Sequence, residues 1–383
     1  MTQKPKVLIS IDWFTPGYKA GGPIQSCANI VAHLRHDLDF YIITRDTDYC
    51  ETEAYNGITS NSWNSVADNV QVYYFSTDQL HIKHLFKVIK AIKPDTAFVN
   101  GIYSFYFSVI PLLILKRLKH PNIIVSARGM LAKSAIHVKG GKKKLFLIAA
   151  QFTGMYKGIR FHATHEGEKQ DIVQALGTEA KVVIAPNLPK KAHTLVNEKR
   201  MKCKGELKLI SVARISPEKN TKYALEVLER CAGVGKVTFD IFGPVYNAAY
   251  WKECQEVVQR LPKNVEVNYK GSLESGRVAN TLTNYHALLM PTRGENFGHI
   301  ILESFTAGCP VIISDQTPWK NLTGLGIGYD LPLDNMDDFV EAIHELSQKE
   351  QENYDTSSEK AYLYSQQFLN DEKAVRLNHL MLQ

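Results

Sequence analysis

The sequence predicts an α/β chain built from two Rossmann-like, doubly wound domains. Three observations carry that prediction. Short apolar runs alternate with helix-periodic segments along the chain, the order that builds parallel sheets covered by helices. The length, 383 residues, exceeds an ordinary single domain and makes two the default. The alternation breaks at Pro186-Asn187-Leu188-Pro189-Lys190-Lys191 and the polar stretch to Glu206, where prolines and charges read as a linker. The first domain is thus expected over residues 1–187 and the second over 188–363.

The elements follow in order. Near-continuous apolar runs, the pattern of strands buried on both faces, predict strands at Lys6–Ile11, Asp39–Thr44, Val70–Phe75, Thr96–Asn100, Asn122–Ser126, Gly158–Ala163 and Lys181–Ala185. After the linker they predict Leu207–Ala213, Val237–Phe242, Val265–Lys270, Ala287–Pro291 and Pro310–Ser314. Helical periodicity between them predicts Pro23–His36, His81–Ile92, Phe105–Leu118, Lys142–Phe152, Glu166–Leu176, Lys222–Cys231 and Tyr250–Leu261. The last section, Leu346 to Gln383, is polar and helical.

Composition narrows the class. Six cysteines (Cys27, Cys50, Cys203, Cys231, Cys254 and Cys309) lack CxxC spacing and read as reduced thiols of a cytoplasmic protein. The apolar core near the N-terminus, Val7 to Ile11, is too short for a signal peptide. The run from Phe105 to Leu115 is too short to span a bilayer. Net charge is +6 and uneven: residues 1–189 hold 22 Lys+Arg against 14 Asp+Glu, and the remainder is slightly acidic. The densest basic run is Lys139-Gly140-Gly141-Lys142-Lys143-Lys144, with a second basic segment from His81 to Lys93. Either a solvated helix face or an anionic membrane surface accounts for such runs. Nucleic acid is not expected, because no basic motif is interleaved with aromatics.

The chemistry concentrates in the second half. Arg293-Gly294-Glu295-Asn296-Phe297-Gly298-His299 joins the strand ending at Pro291 to a helix that carries Glu303. A helix N-terminus after a parallel strand is an anion site. Glu295 before the helix and Glu303 inside it suit a ligand with phosphates and hydroxyls, such as a nucleotide-sugar. Arg214 and Lys219 lie in another strand-to-helix loop, Ser211 to Asn220, where two cations can clamp a diphosphate. Gly243 ends the strand Val237–Phe242 and permits either close backbone approach or a strained turn. In the first half, Gly21 and Gly22 sit in a glycine-rich loop after the first strand, and Arg128 follows the strand Asn122–Ser126. His162 and His165 lie near a further strand end, where a histidine is more often structural than catalytic. Asp46-Thr47-Asp48 matches a DxD pattern but stands in an early loop, and no essential metal is expected.

The segment GENFGHIILESFTAGCPVIISD, with its paired glutamates and its Gly308-Cys309-Pro310, closely resembles the signature of retaining GT-B glycosyltransferases of family four. Bacterial polysaccharide-building enzymes are among them. The resemblance implies two Rossmann-like domains facing a cleft, with about residues 364–383 crossing back to the first. It implies that Arg214 and Lys219 hold the donor phosphates, that amides near Asn296, Phe297 and Gly298 assist, that Glu303 takes the ribose hydroxyls, and that Glu295 faces the donor sugar. Gly21 and Gly22 would approach the donor phosphate and the acceptor, and Gly243 would contact the donor. Many members carry a histidine where this chain has Arg128, within a loop resembling an SxRGML subset. Arginine cannot act as a base at neutral pH, so Arg128 would bind phosphate or an anionic acceptor.

The implied activity is metal-independent, retaining transfer of a hexosyl group from a nucleotide-diphosphate sugar. No cofactor is needed beyond that donor. The acceptor would be a hydroxyl of a growing, lipid-linked glycan (capsule, lipopolysaccharide or exopolysaccharide) at the cytoplasmic face of a membrane, to which the enzyme is peripheral. Three rivals stand beside it: a GT-B nucleotide-sugar epimerase, a non-catalytic nucleotide-sugar-binding assembly subunit, and a membrane-surface adaptor built on the basic segments.

Overall fold

The computed structural model describes residues 4–132, 140–177, 180–191 and 200–383. The chain divides into two compact units, residues 1–191 with 371–383 and residues 192–370. The return to the first unit begins at Asp371, not near residue 364. Tyr364 and Phe368 stay with the second unit, their rings packed on Trp319 at 6.3 and 5.0 Å.

Among the described residues, eight strands form the first sheet: β1 (Lys6–Ser10), β2 (Asp39–Arg45), β3 (Trp63–Ala67), β4 (Val70–Phe75), β5 (Thr96–Asn100), β6 (Ile123–Ser126), β7 (Arg160–Ala163) and β8 (Lys181–Ile184). Their spatial order is β3-β4-β2-β1-β5-β6-β7-β8. All neighbours pair in parallel except β3, which runs antiparallel to β4 at the edge. The period of two splits β1 between both faces. Val7 and Ile9 join the core under helix α1 (Gly22–Leu34), while Leu8 joins the opposite core with Ile43, Phe75 and Val99. Helices α2 (Ile82–Ile92), α3 (Ile110–Arg117) and α4 (Gly140–Phe152) contribute to that second core. Helix α5 (Glu166–Leu176) follows β7.

The predicted helix from Phe105 is two pieces. A π-helical turn, Phe105–Val109, precedes α3. Pro111 lacks an amide hydrogen, so the α-helical ladder starts afresh around it. Edge strand β3 was not legible in the sequence: Asn64 and Ser65 break its alternation, and aromatic edges from Trp63 onto Tyr41 and Tyr73 hold it.

The second sheet is wholly parallel. It comprises β9 (Glu206–Val212), β10 (Lys236–Phe242), β11 (Val265–Tyr269), β12 (Ala287–Met290), β13 (Val311–Ser314) and β14 (Gly328–Leu331), in the order β11-β10-β9-β12-β13-β14. Leu207 and Leu209 of β9 face a core shared with helices α6 (Thr221–Glu229), α7 (Ala248–Val258) and, following the short helices below, α11 (Met336–Gln348). Ile210 faces the other core with short α8 (Val278–Leu282), α9 (His299–Thr306), short α10 (Leu322–Leu325) and α12 (Gln351–Leu369). Helix α13 (Glu372–Leu382) belongs to the first unit, where Ala374, Met381 and Leu382 pack under β1.

Both strand orders contain a reversal point, where successive connections depart in opposite directions. It lies between β1 and β5 in the first unit and between β9 and β12 in the second. Crevices outside the carboxyl ends of strands at such points take ligands in open α/β sheets.

Candidate active site

The β9 and β12 loops hold the predicted cations and acids of the second unit. The loop after β9 carries Arg214 and Lys219 and ends at Asn220, whose left-handed backbone (φ 60°) starts α6. The loop after β12 carries Glu295, Asn296 and Phe297 and ends at Gly298, also left-handed (φ 76°), which starts α9. Neither helix has a side-chain N-cap bond. Both helix starts carry partial positive charge, and in α6 the Lys222 amide donates to the Tyr250 hydroxyl at 2.9 Å. The two loops are joined by backbone: the Arg293 amide donates to the Glu218 carbonyl at 2.9 Å, and Arg293 Nε donates to Asn220 Oδ1 at 3.3 Å.

Lys219 and Glu295 form an ion pair, Nζ to Oε1, with side chains 20 and 13 % exposed. Two of the residues that the sequence singles out, one from each loop, are thus brought together. Arg214 sits in the same loop, its guanidinium 5.8 Å from the centroid of the Tyr246 ring. Burial pushes the Glu218 carboxyl up, but its own amide, the Ser216 hydroxyl and the Arg214 and Lys219 cations outweigh this and hold it below the usual range. Glu303 lies in the second turn of α9, half-buried.

Gly243 has a structural reason of its own. Its φ is 146°, and a Cβ there would come 1.8 Å from the Ala213 carbonyl oxygen. The close approach that requires glycine at this point is that of the β9 loop, adjoining Arg214.

Two residues that sequence reasoning did not single out support the glutamate loop. Trp319 Nε1 donates to the Phe297 carbonyl at 2.5 Å, and the two rings lie 5.5 Å apart. Arg200, 6 % exposed, donates to the Gly308 carbonyl at 2.8 Å and to the Ala307 carbonyl. It thereby places a cation at the C-terminal end of α9, which suits the helix dipole.

In the first unit, the Gly21–Gly22 loop follows β1. Gly21 (φ 76°) precedes the first turn of α1, and a Cβ on either glycine would meet nothing within 4 Å. Asp48 holds this loop, accepting from the amides of Tyr18 (3.0 Å), Lys19 (3.3 Å) and Tyr49 (2.7 Å). Asp46 accepts from the Ser60 hydroxyl at 2.7 Å. Both carboxylates of the Asp46-Thr47-Asp48 match are buried and tether backbone or a hydroxyl. Across the reversal point, Asp12 accepts from the Ser104 hydroxyl at 2.7 Å and faces Arg45 at 3.6 Å.

Arg128 follows β6 with left-handed backbone, φ 52°, continued by Gly129 at φ 70°. Its guanidinium donates to Asn100 Oδ1 (2.8 Å), Asn187 Oδ1 (2.7 Å) and Cys27 Sγ (3.9 Å), and lies 5.9 Å from the Phe98 ring centroid. These partners are neutral. Glu168, 2 % exposed, accepts from the amides of Gly129 and Thr164 at 2.7 Å and from the Thr164 hydroxyl at 2.8 Å. Burial raises its pKa, but those hydrogen bonds outweigh burial and leave it below the ordinary value.

The histidines divide. His162 is 1 % exposed. Its Nε2 lies 2.8 Å from the Ala185 carbonyl, which can only accept, so Nε2 carries the proton and Nδ1 accepts from Ser126 at 2.9 Å. Burial lowers its pKa to about 4 and keeps it neutral at pH 7. It is a structural histidine. His165 is exposed and caps α5, its Nδ1 accepting from the Glu168 amide at 3.3 Å. Of the basic run, Lys139 lies outside the described residues, and Lys142 to Lys144 form the first turns of α4.

Residues 194–363 match the family model described as glycosyl transferases group 1. A Klebsiella pneumoniae protein described as an uncharacterized 41.2 kDa protein in the cps region is 26 % identical over 132 residues, about a third of each chain. Among solved structures, the fold matches sucrose-phosphate synthase from Thermosynechococcus elongatus (14 % identity, 99 % of this chain and 98 % of that one, TM-score 0.69). It also matches Anabaena Alr3699/HepE in complex with UDP-glucose (14 % identity, 98 % of each chain, TM-score 0.70). A third match is WaaG, a glycosyltransferase involved in lipopolysaccharide biosynthesis (12 % identity, 98 % of each chain, TM-score 0.65). The chain has the fold of GT-B enzymes, two parallel-sheet Rossmann-like domains, and its residues 194–363 are similar to the glycosyl transferases group 1.

Proposed function

We propose that the protein moves a hexosyl group from a nucleotide-diphosphate sugar to a hydroxyl of a growing, lipid-linked glycan, with retained anomeric configuration and without a metal. The observation that carries this reading is the meeting of Lys219 and Glu295, beside Arg214, at the reversal point of the second sheet. The HepE structures hold UDP and UDP-glucose on the same fold, and the relative from the cps region points to polysaccharide assembly.

The chemistry asks chiefly for charge stabilisation at the departing diphosphate. Lys219 and Arg214 supply fixed cations, and the first-turn amides of α9 supply dipoles, all in place before the bond breaks. Donor phosphates draw Lys219 away from Glu295. The released carboxylate then turns to the sugar hydroxyls, and Glu303 accepts from the ribose. Gly21 and Gly22 of the first unit leave room for backbone contact, and in the second unit Gly243 shapes the floor beside Arg214. Arg128, fixed by neutral partners, keeps its full charge for an anionic acceptor group.

Among the described residues, no helix is long and apolar enough to cross a membrane. A cytoplasmic enzyme meeting a lipid-linked acceptor would do so from the surface, helped by the basic run ending at Lys142 to Lys144. The test is release of nucleoside diphosphate from a panel of nucleotide-sugars with bacterial lipid extracts as acceptor, in buffer containing EDTA, followed by the anomeric configuration of the product by NMR. Acceptor-dependent release with a retained anomer supports the reading. Donor binding without release supports the assembly-subunit alternative, and an inverted anomer contradicts retention.

A further inference from the structure

From Thr96 to His165 the sequence contains no aspartate or glutamate. At the chain's average density of 39 acids in 383 residues, about seven would fall there. The same stretch holds 11 lysines and arginines. It also holds six of the 15 large apolar side chains that the described residues leave exposed: Phe105, Leu113, Leu118, Leu145, Ile148 and Phe152. Exposed apolar side chains and a run of lysines and arginines therefore fall in one stretch of the sequence.

They coincide most sharply on α4. Its inner face is ordinary, with Leu147 and Ala150 buried and Phe146 set 5.4 Å from the Tyr103 ring. Its outer face is not. Leu145, Ile148 and Phe152 are 69, 62 and 93 % exposed, at spacings of three and four that align them on one side. A solvated helix carries polar residues there. Lys142 and Lys144, both exposed, stand at the N-terminal end of this stripe. Lys116 of α3 donates to the Gly154 and Met155 carbonyls at 2.7 and 2.9 Å, tying α3 to the chain just beyond α4.

We propose that α4 is a membrane-docking helix. Leu145, Ile148 and Phe152 enter the headgroup–acyl boundary of an anionic bilayer, while Lys142 and Lys144 remain at the phosphates. An apolar face bordered by lysines is the pattern of an interfacial helix. A second copy of this chain is the poorer occupant, because a twofold contact would set the lysines at the end of the stripe against themselves. The inference extends the membrane-surface reading above from charge to insertion. It does not depend on which donor is used.

The test is co-sedimentation of the full chain with vesicles of phosphatidylcholine alone and of equimolar phosphatidylcholine and phosphatidylglycerol. The wild type is expected to bind the anionic vesicles, more weakly as salt rises. The pair Ile148→Ser with Phe152→Ser, and separately Lys142→Ser with Lys144→Ser, should each weaken binding about tenfold or more. These side chains are exposed, so melting temperature and donor-induced stabilisation should hold in both. Phe152→Trp gives a second readout that keeps the surface apolar: its fluorescence should shift blue on anionic vesicles. Unchanged binding by the serine pair, with no blue shift, overturns insertion and leaves the charge reading standing. No binding by the wild type overturns both. A dimer abolished by the serine pair, without vesicle binding, makes the face a self-contact and overturns the proposal.

Discussion

The two units each place a partly buried cation after a strand, in opposite ways. In the second, Lys219 is paired with a charged group, the Glu295 carboxylate, and in the proposed function the donor displaces that partner. In the first, Arg128 is held at three nitrogens by Asn100, Asn187 and Cys27 from three separate segments, and its backbone turn is held by Glu168. The difference teaches that a cation alone says little about role. A cation whose partner is charged and displaceable is set for exchange with a ligand. A cation in a cage of neutral acceptors is part of the frame, and its charge acts from a fixed point.

Lys219→Ala should break the second unit's half of that comparison hardest. Losing a preorganised charge at the leaving group should lower kcat/KM by about 10²–10³. The melting temperature of the free protein should barely move, since a part-exposed pair contributes ~1 kcal/mol or less. Steady-state kinetics and a thermal melt read the two quantities.

Arg128→Ala should show the reverse balance. It takes the guanidinium from the Asn187 oxygen and leaves the Asn100 oxygen only the weak Cys27 thiol as donor, at about 1–3 kcal/mol for a buried group left unpaired. Melting should fall by several degrees while donor affinity in calorimetry holds. Arg128→Lys should rescue little, because an ammonium cannot reproduce the guanidinium fork. Loss of donor affinity without loss of stability would erase the contrast between the units.

The units share an acid weakness that sharpens the comparison. His162 in the first and His286 in the second are buried, and burial lowers each pKa to about 4. Between pH 6.5 and 4 the unfolded chain binds protons that the folded one refuses, so stability falls as pH falls through that window. The loss is roughly 3 kcal/mol per histidine at its end. Glu168 adds a further loss lower down: its depressed folded pKa gives stability that is present above about pH 4.5 and lost on further acidification. Urea melts from pH 7.5 to 4.5 should show the decline. His162→Gln should flatten only the first unit's share. The smallest effect is Asp48→Asn, which weakens the tether of the Gly21–Gly22 loop by ~1 kcal/mol and leaves activity insensitive to EDTA.

What the sequence could show depended on how far apart the partners lie. Buried parallel strands such as Thr96–Asn100 and Ala287–Met290 are continuous apolar runs and were legible at once. The exposed edge strand Trp63–Ala67 has no such run. Arg214, Lys219, Glu295 and Glu303 were legible as groups because each pair sits within one short loop-and-helix segment. Their supports were not. Arg200 meets Gly308 across 108 residues, Glu168 meets Gly129 across 39 and Trp319 meets Phe297 across 22. No local pattern encodes such pairings. Gly243 carried a clear glycine signal, but only the approach of Ala213 explains it.

The most direct test of the central claim is thermal stabilisation by a panel of nucleotides and nucleotide-sugars, for the wild type, Lys219→Ala and Glu303→Ala. A ligand bound to the folded state at a hundred times its Kd adds about 2.7 kcal/mol. A shift from one nucleotide-sugar series, lost in both variants, would place the donor between the β9 and β12 loops. A shift that survives both substitutions, or none with any nucleotide, would contradict that placement.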